Sequence, residues 1–189
     1  MKQNLKIAIL MTVVTTVLLG IIYPLIVTGL AQAMFHDKAN GQLISRNGAV
    51  IGSRIIGQAF TGPEYFHSRP SAAGTGYDAA NSAGTNLGPT NKVLINRVRQ
   101  DASALQAENP SQPVPVDLVT TSASGLDPDI SIAAANFQVP RVARARGMTE
   151  AQLQQVVAAY TIGRQLGFLG EPRVNVLELN LELDQAKAH

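Results

Sequence analysis

The sequence predicts one N-terminal transmembrane helix followed by one soluble α+β domain. No formally charged side chain occurs between Lys6 and Asp37, and Ile7 to Leu30 is almost unbroken Ile, Leu, Val, Thr and Ala. No second run of the roughly 18 apolar residues that a span needs follows it. The remaining chain mixes helix-period and strand-like segments without strict alternation, a pattern of α+β folds and not of repeated βαβ units.

The first element is the span. At about 1.5 Å per residue, roughly two dozen helical residues reach about 36 Å, enough to cross a hydrocarbon core of about 30 Å with some tilt. Residues 1–36 are therefore expected to be a cytoplasmic stub and transmembrane helix, and residues 37–189 a soluble domain. Lys2 and Lys6 supply the whole formal charge of +2, so the domain is neutral and carries no electrostatic footprint for nucleic acid. With no cysteine, disulfide and thiol chemistry are excluded. The two lysines precede the span while Asp37 and Lys38 cancel after it. By the positive-inside tendency the N-terminus is cytoplasmic and the domain periplasmic or extracellular. The competing expectation is a cleaved signal peptide, because Ala31-Gln32-Ala33 fits an A-x-A site, but a signal core of about 7 to 15 residues is much shorter.

Ala8, Thr12, Thr16 and Gly20 recur every four residues and set small side chains in one stripe, with Thr28 and Gly29 near the far end, which reads as a docking face for a partner helix. The ordinary alternative is that Thr and Gly are common in any spanning helix. Pro24, after Tyr23, is expected to kink or loosen the outer third.

Asn47-Gly48 between Leu43-Ile44 and Val50-Ile51 predicts a hairpin of two short strands. Residues 57–91 form a long Gly/Ser/Asn-rich loop, and loops of that length are functional or disordered. Phe60, Tyr65, Phe66 and Tyr77 argue for an ordered loop that tucks aromatics inward. A helix is expected from Lys92 to Ala107, capped by Asn91 or Thr90 and ended by Asn109-Pro110. A strand is expected at Val116 to Thr121. Asp127-Pro128-Asp129 should then turn into a helix starting near Ser131, which Pro140 interrupts after two turns, leaving Arg141, Arg144 and Arg146 on its second half. Thr149 and Gln152 make a capping box, with Met148 and Leu153 as hydrophobic staple, for a helix to about Thr161. Val174, Val176, Leu177, Leu179 and Leu181 read as a strand that turns into a terminal helical turn.

Catalytic patterns are sparse. His36, His67 and His189 are the only histidines, and none has a second His at metal-ligand spacing, so no metal site is expected. There is no G-x-x-x-x-G-K-[ST]. Gly74-Thr75-Gly76-Tyr77-Asp78-Ala79 fits the looser dinucleotide pattern but follows a loop instead of a strand. Ser68 beside His67 makes no triad by adjacency. The dense signal is the loop, with Gln58, Phe60, Tyr65, Phe66, His67, Arg69, Tyr77 and Asn86 as candidate contact residues. Arg69 suits an anion or a partner carboxylate, and equally a buried guanidinium satisfied by loop carbonyls.

The span with Tyr23-Pro24, the loop segments Gln58-Ala59-Phe60-Thr61, Tyr65-Phe66-His67-Ser68-Arg69-Pro70-Ser71 and Gly84-Thr85-Asn86-Leu87, and the later Ser122 to Asp127, Pro140 to Ala143 and Val174 to Asn180 together resemble the C subunits of bacterial Kdp potassium-transporting P-type ATPases. The resemblance runs through essentially the whole chain. It implies a non-catalytic inner-membrane subunit needed for assembly, acting as a catalytic chaperone that raises the ATP affinity of the ATPase subunit. Its implied partners are that subunit and a channel-like potassium-conducting subunit. ATP and potassium belong to the complex, with no cofactor bound by this chain alone. An outward domain makes direct nucleotide contact awkward, so the loop is expected to dock on the channel-like subunit; the alternative is an inward domain with a Gln or Arg of this chain touching the nucleotide. The alternatives are an anchored periplasmic hydrolase using His67 as base, or a ligand-binding module.

Overall fold

The computed structural model, which describes residues 1–186, separates into two compact units between Ile51 and Gly52. The first opens with α1 (Lys2–Val17), a π-type turn (Leu18–Ile22) and α2 (Tyr23–Met34), which run on as one helix of 33 residues. At about 1.5 Å per residue this is about 50 Å of helix, long and apolar enough to cross a bilayer. None of its apolar stretch is buried. The π turn lies immediately before Pro24, whose ring lacks an N–H and crowds the carbonyl four residues back. The Tyr23 N–H instead reaches the Leu18 carbonyl, five residues back, which accommodates the proline without ending the helix. The loosening expected at Tyr23-Pro24 takes this form.

A single turn, α3 (His36–Ala39), leads to β1 (Leu43–Arg46) and β2 (Ala49–Ser53), the expected hairpin. Asn47 and Gly48 at its tip have φ of 53° and 80°, the left-handed pair that a two-residue turn matching strand twist requires.

The second unit contains α4 (Lys92–Glu108), a 3-10 turn (Val116–Leu118), β3 (Asp129–Ser131), α5 (Ile132–Arg146), α6 (Glu150–Ala159), β4 (Thr161–Ile162), β5 (Arg173–Asn175) and α7 (Val176–Ala186). The small sheet is antiparallel in the order β3-β5-β4, with Val174 opposite both Ile130 and Thr161. One core joins Ile130, Phe137, Val142, Leu153, Val174, Leu179 and Leu183, so the sheet, α5, α6 and α7 share a single apolar interior. Asn91 caps α4 by accepting from the Val93 N–H, and Thr149 and Gln152 form the expected capping box of α6.

Three local expectations are corrected. Val116 to Thr121 is not a strand: Thr120 Oγ1 donates back to the Val116 carbonyl and Asp117 turns away to accept from Ser131 N and Oγ, which curls the segment. Pro140 does not interrupt α5, which runs through it for 15 residues because Phe137, Val139, Val142 and Ala143 are buried on both sides of the proline. The terminal strand is only three residues long. From Val176 the buried positions Val176, Leu179, Asn180 and Leu183 follow a helical spacing, and Asn175 Oδ1 starts that helix by accepting from the Glu178 N–H. Asp127-Pro128-Asp129 does turn the chain, with Asp127 Oδ1 accepting from Asp129 N, but the cap of α5 is Ser131.

Candidate functional site

No regular element occurs between Ser53 and Lys92, yet this long segment is tied to the core along its length. Its anchor is Phe66, fully buried, with the neighbouring peptide groups held by two buried amides. Asn180 of α7 accepts from Phe66 N at 2.8 Å and donates to Phe66 O at 2.9 Å. Gln138 of α5 does the same for the next residue, accepting from His67 N at 2.8 Å and donating to His67 O at 3.0 Å. Buried main-chain donors and acceptors must be paired, and here side-chain amides supply what a neighbouring strand would.

Two arginines of α5 hold the segment just before. Arg141 donates to Pro63 O, Tyr65 O and Gln138 Oε1, and pairs with Glu108 at 2.8 Å. Arg146, its side chain only 4% exposed, donates to Glu64 O and Leu183 O, pairs with Asp184 and lies over the Tyr65 ring. The Tyr65 hydroxyl completes this corner by donating to Asp184, and burial with the Asp184 carboxylate raises its pKa.

Further on, Arg69 gives its guanidinium to Thr120 O, Thr120 Oγ1, Thr121 O and Asp127. Of the two roles open to it from sequence, the structure places it on loop carbonyls and an internal carboxylate. The Tyr77 hydroxyl donates to the Arg69 carbonyl, and burial raises its pKa. Ser71 Oγ donates to Gly125 O and accepts from Tyr77 N, stitching this stretch to the 122–126 turn. Gly125 has φ of +67°, and a Cβ there would lie 2.5 Å from Ala83 O and 2.7 Å from Ala73 N. Only glycine fits.

Phe60, His67, Arg69 and Tyr77 of the segment line a cleft of about 390 Å³ against Glu108 of α4 and Arg141 of α5. The other sequence candidates lie elsewhere. Phe66 is in the core, Tyr65 faces Arg146 and Asp184, Gln58 packs where a Cβ on Gly52 would meet its amide at 2.9 Å, and Asn86 is exposed at φ 52°. His67 Nε2 lies 3.0 Å from the Gly62 carbonyl and donates to it, while burial and then the Arg141 charge lower the ring's pKa. The hydrogen bonds of the His67 ring and main chain go to Gly62 and Gln138, and none goes to Ser68. Among the described residues no group of three or more His, Cys, Asp and Glu could hold a metal ion; His189 lies outside them. In the first unit, Thr12 Oγ1 donates to Ala8 O, and the nearest neighbour of a Cβ on Gly20 would be Thr16 Cγ2 at 3.9 Å, so the small stripe is open.

The residues that hold the segment in place, Gln138, Asn180, Arg141 and Arg146, are not among the candidates read from the sequence. A polar amide inside an apolar stripe was the available signal, as in Leu179-Asn180-Leu181.

The family model of the potassium-transporting ATPase c chain, KdpC, matches residues 5–185. A potassium-transporting ATPase KdpC subunit of Koribacter versatilis is 72% identical over 184 residues, covering 97% of this chain and 95% of that protein. Those of Acidobacterium capsulatum and Rhodopseudomonas palustris are 59% and 56% identical over 183 and 199 residues, covering 97% and 99% of this chain and 98% and 100% of theirs. A match over nearly the whole length, with a helix long enough to span a membrane followed by an α+β domain, places the chain in the KdpC family of potassium-transporting ATPase subunits.

Proposed function

We propose that this chain is a non-catalytic accessory subunit of an ATP-driven potassium import complex of the bacterial inner membrane. It is needed for assembly and raises the ATP affinity of the ATPase subunit. The observation that carries the reading is how the domain uses its reactive groups. Arg69, Arg141 and Arg146, the neutral-leaning His67 ring and the amides of Gln138 and Asn180 are engaged in holding the 57–91 segment as a fixed surface. A self-satisfied surface in one unit and a spanning helix with an open face in the other are each suited to binding neighbours.

In this reading the N-terminus is cytoplasmic and the domain lies on the outer side, docked through the 57–91 segment on the channel-like potassium-conducting subunit. ATP stays on the ATPase subunit and potassium is cargo of the complex. The domain then acts on nucleotide affinity at a distance, by favouring the state of the complex that binds ATP better. Couplings of this kind are worth about 1–3 kcal/mol, about 5- to 150-fold in affinity.

The test is purification of the ATPase with and without this chain, followed by measurement of ATP affinity. Co-purification together with weaker ATP binding in its absence is expected, and unchanged affinity would overturn the chaperone role. Ser71→Cys should react with an impermeant thiol reagent on intact cells; protection until lysis would place the domain inside. His67→Ala should leave no missing turnover in the isolated chain, whereas loss of an intrinsic hydrolysis would favour an enzyme.

A further inference from the structure

The π turn in the first helix leaves a main-chain acceptor without its donor. In a regular helix the Leu19 carbonyl would accept from the Tyr23 N–H, but that N–H goes to Leu18 O, five residues back. The next group along, which a π turn would offer to Leu19, belongs to Pro24 and has no hydrogen to give. The Gly20 carbonyl loses its regular donor to the same proline. No side chain of this helix makes up the loss. The Thr12 and Thr15 hydroxyls donate to Ala8 O, Met11 O and Thr12 O in earlier turns, and from Val17 to Val27 the only side-chain donor is the Tyr23 hydroxyl, for which no bond to these carbonyls is formed.

Depth decides what can meet this acceptor. Leu19 lies at the middle of the apolar run from Ile7 to Leu30, about 17 Å of helix from either end. Lipid tails carry no donors, headgroups lie out of reach, and water enters hydrocarbon only where several polar groups hold it. An open carbonyl at that depth is costly, and a donor on a neighbouring helix removes the cost. Gly20 lets such a helix come close, since even a Cβ there would have Thr16 Cγ2 as its nearest neighbour, at 3.9 Å. The donor is a neutral hydroxyl or amide, because no acid occurs between Lys6 and Asp37 to pair with a cation.

The geometry points to the Leu19 carbonyl as a mid-membrane acceptor for a hydroxyl or amide side chain on a transmembrane helix of the channel-like subunit. This rests on the proposed arrangement in which the domain docks on that subunit, helix and domain being one chain. The proline and its π turn thereby serve recognition: they uncover an acceptor that only a helix with a polar side chain at the matching depth can satisfy, so a purely apolar neighbour is disfavoured.

Leu-Gly peptide bonds occur only at Leu19-Gly20, Leu87-Gly88, Leu166-Gly167 and Leu169-Gly170. Full chain labelled at leucine carbonyls and glycine nitrogens therefore gives a filtered solid-state NMR spectrum of four peptide groups, with Leu19 assigned by its loss in Gly20→Ala. The chain is compared in lipid bilayers alone, with the unlabelled channel-like subunit, and with the unlabelled ATPase subunit. Hydrogen bonding moves a carbonyl resonance downfield, and that move is expected for Leu19 with the channel-like subunit only. A bonded signature in the chain alone would overturn the inference in favour of water or a second copy, and a shift with the ATPase subunit only would overturn the choice of partner. An unmoved Leu19 in a complex shown intact by co-purification sinks the inference while the subunit reading stands; a chain that co-purifies with nothing sinks both. Pro24→Ala restores the missing N–H and lets Tyr23 N return to Leu19 O, so its Leu19 signal should be bonded with and without partner, and retention of the channel-like subunit should fall about threefold. A partner-dependent shift that survives in Pro24→Ala would show that the proline does not create the acceptor.

Discussion

The side-chain amide of Asn180 pairs with both main-chain polar groups of Phe66, accepting at 2.8 Å and donating at 2.9 Å. Asn180 is 1% exposed and Phe66 not at all, so the pair lies inside the core and joins α7 to a loop 114 residues earlier. Together with Gln138 on the following residue, it converts a segment without regular structure into part of the interior.

Asn180→Leu should therefore be severely destabilising although it adds apolar bulk. It leaves a buried N–H and a buried carbonyl unpaired, at about 1–3 kcal/mol each. Denaturant unfolding of the full chain in detergent reads the loss as a lower midpoint. Gln138→Leu should behave similarly, and the double variant should fall short of the sum because both act on adjacent peptide groups. A midpoint within experimental error of the parent in Asn180→Leu would show that the loop is held by other means.

Gly125→Ala tests the second attachment of the loop. The added Cβ would meet Ala83 O at 2.5 Å at a backbone φ of +67°, so the loss should exceed about 1 kcal/mol. The carbonyl of Gly125 accepts from Ser71, and Ser71 in turn holds Tyr77 N. Amide exchange in 71–77 should accelerate along with the drop in unfolding midpoint. Exchange that stays slow there would mean that the turn at 122–126 does not support the loop.

The local parts of this architecture were legible in the sequence, and the long-range parts were not. Asn91 before the α4 stripe, Thr149 with Gln152, and Asn47-Gly48 each announce a boundary through neighbours three residues away or fewer, and the structure has all three. Residues 174–181 satisfy both a strand and a helix period, since Val174, Val176, Leu179 and Leu181 nearly alternate while Val176, Leu179, Asn180 and Leu183 share one helical face. The deciding signal was Asn175, whose side chain caps the helix. Val116 to Thr121 misleads for a different reason, because Asp117 is drawn to Ser131, 14 residues on. At the cleft, Phe60, His67, Arg69 and Tyr77 stood out as chemistry-bearing types. The partners of His67 and Arg69, Gln138 and Asp127, lie 71 and 58 residues away, beyond any local pattern.

His67 makes stability depend on pH. Burial and the Arg141 charge lower its pKa in the folded chain from the ordinary 6.5, so the unfolded chain binds the proton more readily. The contribution is complete above about 6.5 and is lost as pH falls through the lower folded value. His67→Gln should flatten that part of the curve, with the unfolding midpoint of the variant falling less than that of the parent between pH 7.5 and pH 5. Parallel curves would show that the ring is not the titrating group.

Gly20 tests the spanning helix. A Cβ there would meet only Thr16 Cγ2, at 3.9 Å, so Gly20→Leu should fit the helix of the isolated chain without strain. Leucine is also a better helix former than glycine, by about 0.8–1.0 kcal/mol, so helix content should not fall. What changes is the closest approach of another backbone along Ala8, Thr12, Thr16 and Gly20. Thr12 already donates its hydroxyl to Ala8 O, so packing of small side chains, more than new interhelical donors, would hold a neighbour. Gly20→Leu should thus lower the yield of co-purified ATPase subunits by about tenfold, the effect of about 1.4 kcal/mol. A yield equal to that of the parent chain would remove the stripe from the interface and leave the soluble domain as the site of association.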